Sequence, residues 1–219
     1  FFTQRPILRS MGLCVKNVVE NEAELIEQIH KIFDGYRGWE LSSGGIVVEQ
    51  FVNGPEYTTM IVGASDQPRN CVIYTPVERV FHPSLPDKEK FLSFDRLWEI
   101  YEDETPMPGD EHFYQYTSPH ASLIRKIKRI SWDAYVSVGG KGYTRVDLRM
   151  DKETGAIYVL EVNAQCGLSD DEDYTSIGAI LRMSNKSFTQ MVVEIINDAA
   201  LRWMKKNRVR KLVKSYQAV

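Results

Sequence analysis

The residues best placed to do chemistry in this 219-residue chain lie between Arg145 and Asn163. Arg145, Asp147 and Arg149 alternate with Val146, Leu148 and Met150, the period of a half-buried strand. Ile157 to Asn163 is a second β-branched and aromatic run, and Asp151 to Gly155 between the two is turn chemistry. A loop centred near Thr154 puts Asp147 opposite Glu161. Asn163 then shares the face of Glu161, and Arg145 the face of Asp147. Like charges placed opposite each other in a sheet destabilise it, and a hard cation such as Mg2+ offsets that repulsion with oxygen ligands. A guanidinium beside such a cation suits a phosphate or an anionic transition state. The competing reading is a solvated polar face crossed by an Arg–Asp salt bridge. On strand alternation alone it is the commoner outcome, since half-exposed hairpins are frequent.

The rest of the chain must position this hairpin. Met11 to Val19 is apolar enough for a strand. Asn21 with Glu24 forms a capping box, and Leu25, Ile26, Ile29, Ile32 and Phe33 follow at helical spacing up to Gly35. Ser42 to Gly45 reads as a turn, Ile46 to Val52 as a strand, and Asn53-Gly54-Pro55 as a break before a second strand, Glu56 to Val62. Glu49 is odd in an apolar run unless it meets something; an edge residue facing water is the plainer account. Short strands are expected at Cys71 to Tyr74 and Glu78 to Phe81.

Phe81 to Gly109 has four prolines, many acids and no period. Phe91, Phe94, Trp98 and Tyr101 give it anchors, so an ordered flap is expected there. Ser118-Pro119 should open a helix with an apolar face of Leu123, Ile124, Ile127, Ile130 and Ala134, closed by Gly139 to Gly142. Asp170 to Asp173 is an acidic run. A last helix, Phe188 to Met204, should bury Phe188, Met191, Val192, Ile195, Ile196, Ala199 and Trp203.

Composition is that of an ordinary globular chain with one large or two small domains. No apolar run approaches the roughly 20 residues that span a bilayer, and no signal peptide opens the sequence. The three cysteines, Cys14, Cys71 and Cys166, are widely spaced and indicate neither a disulfide framework nor a zinc cluster, so a reducing, cytoplasmic setting is expected. The net charge of −3 includes seven Lys or Arg and no acid beyond Ala200. The acidic remainder argues against nucleic acid as the main partner. The basic tail reads as the solvated end of a helix.

The hairpin, with Gly140-Lys-Gly-Tyr-Thr before it and Gly167-Leu-Ser169 after it, resembles the carboxy-terminal lobe of ATP-grasp ligases, of the D-alanine–D-alanine ligase type. Gly54-Pro55-Glu56 matches the same family's interlobe strand. The resemblance runs from about Met11 to Ala200. It implies an α+β fold, mainly the carboxy-terminal ATP-grasp lobe, with an antiparallel sheet and packed helices. The implied division is a partial central lobe at 1–48, the carboxy-terminal lobe at 49–200 with a flap at 81–117, and a basic helical tail at 201–219. It further implies ATP- and Mg2+-dependent joining of a carboxylate to an amine through an acyl phosphate, with Mn2+ as a substitute for Mg2+.

By that resemblance Asp147, Glu161 and Asn163 are the metal ligands and Arg145 steadies the transferring phosphoryl group. The backbone of Glu49, Gln50, Phe51 and Val52 reads adenine, and Glu56 binds the ribose hydroxyls. Gly167 offers its N–H to the substrate or the tetrahedral intermediate. The flap, through Phe113 to Tyr116, excludes water. The implied partners are small amino-acid or carboxylate substrates and, as assembly, a homodimer, with no nucleic acid and no membrane.

The sequence departs from the family in several places. Phe1 to Arg9 starts abruptly, like the inside of a domain, and the family's amino-terminal domain and first ATP-binding lysine are not in the sequence. Arg5-Pro6 stands where a Lys-Pro is usual, without the glycines of the phosphate loop; only Ser10 to Gly12 resembles its end. Cys166 replaces a common proline, and a packing role is expected for it. Near Glu172 an acid replaces a serine that meets substrate carboxylate, which favours an amine there. Two other readings remain: a nucleotide-binding ATP-grasp fragment without chemistry, and a plain interaction domain that docks through its basic tail.

Overall fold

The central strand, β3, is buried along all nine residues from Glu56 to Ala64, and the sheet is built outward from it. In the computed structural model, β3 pairs antiparallel with β7 (Lys141–Met150), in unbroken register from Glu56↔Arg149 to Ala64↔Lys141. Its other side carries β5 (Val77–Phe81) and the short β4 (Val72–Ile73). With β6 (Tyr114–Thr117) and β8 (Ile157–Ala164), the sheet order is β6-β5-β3-β7-β8. The structure describes residues 2–4, 13–41, 44–97, 104–109, 111–171 and 173–216. Arg5-Pro6, Ser10 to Gly12, the Ser42-Ser43 turn, Trp98, Tyr101 and Glu172 lie outside them.

Alternation along β3 and β7 sorts their side chains onto two faces. Tyr57, Ile61, Val146 and Leu148 form one core with Ile127 and Tyr135 of helix α3 (Ala121–Ser137). Burying each such side chain contributes about 1.5–3 kcal/mol. Gly140 lets the chain turn tightly from α3 into β7. A Cβ there would lie 2.0 Å from the Tyr135 ring, whose hydroxyl donates to the Gly63 carbonyl at 2.7 Å. The opposite face carries Glu56, Thr58, Arg79, Arg145, Asp147 and Arg149, and this polar face is not solvated. Asp147 is 7% exposed and Arg149 4%. The expectation of a half-buried strand therefore fails for β7, which is covered on both faces over its second half.

The chain divides into two compact units, one of residues 1–54 and 81–114, the other of 55–80 and 115–219. The second contains the sheet, α3, α4 (Ser176–Met183) and α5 (Phe188–Tyr216). The helix α4, capped by Thr175 Oγ1 accepting from the Gly178 N–H, has no counterpart among the sequence expectations. The start of α3 lies two residues past the expected one. Ser118 Oγ turns to the Pro119 carbonyl, and His120 caps the helix instead. In α5 the expected buried stripe is covered only in part: Met191 is buried and Phe188, Val192 and Ile195 are half-buried, whereas Ile196 and Trp203 are 59% and 67% exposed. No helix among the described residues is long and apolar enough to cross a membrane.

The first unit pairs two short strands, β1 (Phe2–Gln4) and β2 (Val47–Glu49), so the strand expected over Ile46 to Val52 is only three residues long. The strand expected over Met11 to Val19 is instead a 3-10 turn, Val15–Asn17, among its described residues. Asn17 Oδ1 accepts from the Cys14 N–H at 2.8 Å, a local bond that competes with strand pairing. Helix α1 (Glu22–Asp34) matches expectation. Asn21 caps the Glu24 N–H, Glu24 reaches back to the Glu20 N–H, and Gly35 closes it at φ +90°.

The segment after β5 has a short helix, α2 (Phe94–Leu97), organised by an ionic knot. Arg96, fully buried, donates to Glu89 at 2.8 Å, to Glu104 at 3.0 Å and to the Thr105 carbonyl at 2.8 Å. Glu104 also accepts from the Val15 N–H, and Phe94 N–H bonds the Leu13 carbonyl, so the segment is tied to the 3-10 turn.

Replacing Arg96 with Met would leave two buried carboxylates facing each other, and should destabilise the first unit by about 3–5 kcal/mol in denaturant titration. Burial holds the Glu104 carboxyl above its ordinary range, despite Ser93, Arg96 and the Val15 N–H. A carboxyl raised in the folded state binds protons there in preference to the unfolded chain, so its penalty fades as pH falls through the folded pKa. Loss of Arg96 raises that pKa further. The deficit of the variant should therefore shrink as pH is lowered from neutrality; a constant deficit would count against the knot.

Candidate active site

The hairpin forms as its turn chemistry dictates. Asp151 Oδ1 accepts from the Glu153 and Thr154 N–H groups at 3.0 and 2.7 Å, and Gly155 takes φ +69°. The turn alone sets Met150↔Ile157, Arg149↔Tyr158 and Leu148↔Val159. Continued unbroken, this register would face Asp147 with Leu160. A bulge at Leu160 shifts it by one, giving Asp147↔Glu161 and Arg145↔Asn163. The expected pairing is therefore present, but the bulge produces it.

Asp147 is the centre of the cluster. Its Oδ1 accepts from the Thr58 hydroxyl at 2.6 Å and from Arg145 Nε at 2.9 Å. Its Oδ2 accepts from Arg145 Nη2 at 2.7 Å, Arg145 Nε at 3.0 Å and Asn163 Nδ2 at 2.9 Å. Oδ1 thus turns toward β3 and Oδ2 toward β8. Burial would raise the carboxyl, but Arg145 and then Thr58 outweigh it and hold its pKa below the ordinary range. Burial likewise opposes the charge on Arg145, and Asp147 outweighs it. Glu161 lies 3.8 Å from Arg145. Its pKa is raised, first by loss of solvent and then by the Asp147 charge, with Asn163 opposing.

One pleat repeat away, Glu56 sits between two arginines. Arg79 donates to one of its oxygens, and Arg149 lies 3.5 Å from the other. Arg79 also donates to the Tyr116 hydroxyl at 3.0 Å. Burial, then Arg79, pushes the Arg149 pKa down to about 10. The sequence singles out Glu56, and Tyr116 only as part of the flap, but neither Thr58 nor Arg79. The available signal is that Thr58 shares the face of Glu56 in a strand.

Four candidate residues, Arg145, Asp147, Glu161 and Asn163, are brought together, with Glu56 on the same sheet face. Gly167 lies three residues past β8, exposed, with open space where a Cβ would point. Cys166 beside it is buried, as expected. Glu49 to Val52 belong to the first unit: Glu49 and Gln50 are exposed, Val52 is half-buried, and Phe51 packs edge-on to Phe91 at 6.2 Å.

An antiparallel sheet with packed helices and this hairpin define the carboxy-terminal lobe of an ATP-grasp protein. Solved structures share the fold. The D-alanine–D-alanine ligase from Coxiella burnetii covers the whole chain with a TM-score of 0.62 at 14% identity, and the chain covers 50% of it. VanG D-Ala:D-Ser ligase from Enterococcus faecalis matches 90% of the chain, and 48% of its own, with a TM-score of 0.59 at 18% identity. The sequence family described as D-ala D-ala ligase C-terminus matches residues 10–197, and the chain belongs to it. Among curated relatives, the D-alanine--D-alanine ligase of Geotalea uraniireducens is 32% identical over 158 residues, 72% of this chain and 43% of that protein. That of Bartonella henselae is 26% identical over 198 residues, 90% of this chain and 55% of its own length. The chain spans about half the length of the curated relatives it matches.

Replacing Arg145 with Gln removes the only cation in direct contact with Asp147 among the described residues. The Asp147 pKa should then move upward, because an opposite charge beside a carboxylate favours its ionised form. Carboxyl-carbon NMR titration of the labelled protein reads this; an unmoved midpoint would show that Thr58 and Asn163 suffice.

Proposed function

We propose that this chain is the Mg·ATP-binding carboxy-terminal part of a ligase that joins a carboxylate to an amine through an acyl phosphate, as in D-alanine–D-alanine ligases. The observation that carries the reading is the cluster of Arg145, Asp147, Glu161 and Asn163 on one sheet face, buried at Asp147 and open to solvent at Glu161, in a chain of that family.

The donor chemistry fits a hard cation. No group of three or more His, Cys, Asp or Glu gathers among the described residues, so a cation here would take two carboxylates and an amide oxygen. Mg2+ accepts such a sparse set because phosphates and water complete its shell. The raised pKa of Glu161 beside the Asp147 charge marks a pair that a cation would relieve. When bound, Mg2+ or Mn2+ supplies charge neutralisation for the terminal phosphates of ATP.

The protein groups do the rest. Arg145, oriented by its two-pronged contact with Asp147, presents its charge to the transferring phosphoryl group and to the acyl phosphate. The Gly167 N–H donates to the oxyanion formed when the amine attacks. Glu56 keeps acceptor capacity for ribose hydroxyls although two arginines hold it, because a carboxylate has about four lone-pair positions. The backbone of Glu49 to Val52 reads adenine, and the segment 81–117 excludes water from the acyl phosphate. The substrates are small amino acids or carboxylates.

A second reading, a nucleotide-binding lobe without chemistry, draws on the missing phosphate-loop glycines between Thr3 and Ser10. One sample separates the two: ATP binding by calorimetry, and amino-acid-dependent phosphate release. In the full-length protein Asp147→Asn and Glu161→Gln should each lower phosphate release by roughly 100-fold or more, the scale of losing one electrostatic stabiliser. Wild-type turnover in either variant would overturn the metal assignment, and ATP binding without phosphate release in the wild type would favour the second reading.

A further inference from the structure

The proposed metal cluster contains one hydroxyl that belongs to neither the hairpin nor any assigned step. Thr58 Oγ1 donates to Asp147 Oδ1 at 2.6 Å from the third residue of β3, which is 1% exposed. We infer that Thr58 is a positioning residue: it anchors Oδ1 toward β3, so that Asp147 turns Oδ2, the oxygen that meets Asn163, toward a divalent cation. The inference rests on the metal-site reading above.

Each Asp147 oxygen accepts from more than one donor, but the donors differ in their freedom. Arg145 must be free to meet a phosphoryl group. Asn163 must offer its amide oxygen to the cation, so its Nδ2 contact is adjustable. Thr58 has neither task. Its side chain is β-branched, with restricted χ1, and it sits on a strand paired on both sides. An ionised carboxylate can only accept, so the hydroxyl proton points at Oδ1. The hydrogen bond from Thr58 therefore persists when the other two donors move. It prevents the carboxylate from turning both oxygens toward β8 in a bidentate grip. Asp147 then meets the cation through one oxygen, which leaves coordination positions for Glu161, Asn163, phosphate and water. Partners that orient metal ligands commonly change metal affinity by about 10–100-fold when removed.

The test uses Mn2+ binding, read by electron paramagnetic resonance on the intact chain with and without ATP, for wild type, Thr58→Val and Thr58→Ser. Val keeps the shape and removes the hydroxyl; Ser keeps the hydroxyl. The expected result is a Mn2+ affinity about 10–100-fold weaker for Val and near wild type for Ser, at similar melting temperatures. In the full-length protein the Val variant should need more Mg2+ for half-maximal phosphate release, with the rate at saturating Mg2+ largely kept. If Val fails to fold, Thr58→Ala against Thr58→Ser reads the same hydroxyl. Equal Mn2+ affinity in the hydroxyl-free and hydroxyl-bearing variants overturns the role of Thr58 while leaving the metal site standing. No Mn2+ binding by the wild type, with or without ATP, overturns the metal-site reading and this inference with it.

Discussion

The hydrogen bonds that converge on Asp147 set the conditions for much of what surrounds it. A carboxylate withdrawn from water carries a large desolvation cost unless donors and an opposite charge replace the solvent. Arg145 supplies the charge, Thr58 and Asn163 supply donors, and three adjacent strands are needed to bring them together. The same logic repeats one pleat along the sheet, where Glu56 is matched by Arg79 and Arg149. A sheet face bearing this many charges stays folded because the other face packs an apolar core against α3. The polar face is thus held in place by hydrophobic burial elsewhere, and its own ion pairs mainly avoid a penalty. That division of labour suits a ligand site. The charges are already ordered and partly desolvated, so a nucleotide and its cation would meet fixed groups.

The bulge at Leu160 shows how fine the control of register is. A one-residue slip in a strand exchanges its two faces. The turn from Asp151 to Gly155 sets one register, and the bulge sets another from Leu160 onward, aligning Glu161 rather than Leu160 with Asp147. Bulges next to functional groups re-aim a side chain at modest local cost. Here the consequence is that two carboxylates, Asp147 and Glu161, face each other across the strand pair.

The first unit solves a different problem. Its proline-broken stretch has no hydrophobic period with which to form long elements. Order there comes from Arg96 gripping Glu89 and Glu104, and from Glu104 holding the Val15 N–H. Ion pairs between residues far apart in sequence leave no periodic trace, so the expectation of an ordered flap could rest only on scattered aromatics. One of those, Phe91, is indeed buried. The knot fixes the segment to the 3-10 turn of its own unit, which is the kind of local rigidity that a water-excluding cover would need.

Local chemistry fixed several features from the sequence by itself. The Asn21 cap of α1, the Asp151–Gly155 turn and the alternation through Arg145, Asp147 and Arg149 act over a few residues, and each appears in the structure. Matching those residues to a family then gave the fold. Tertiary structure decided the rest. Whether Asp147 faces water or the interior depends on β3, nearly ninety positions earlier. Whether a run of apolar residues pairs as a strand depends on competitors such as the Asn17 side chain. Whether the stripe of α5 is covered depends on what lies against it; Met191 at one edge of the expected stripe is buried, whereas Ile196 and Trp203 at the other edge remain open. Periodicity records which side chains share a face, but burial and partners are properties of the neighbours, and those are brought close only by the folded chain.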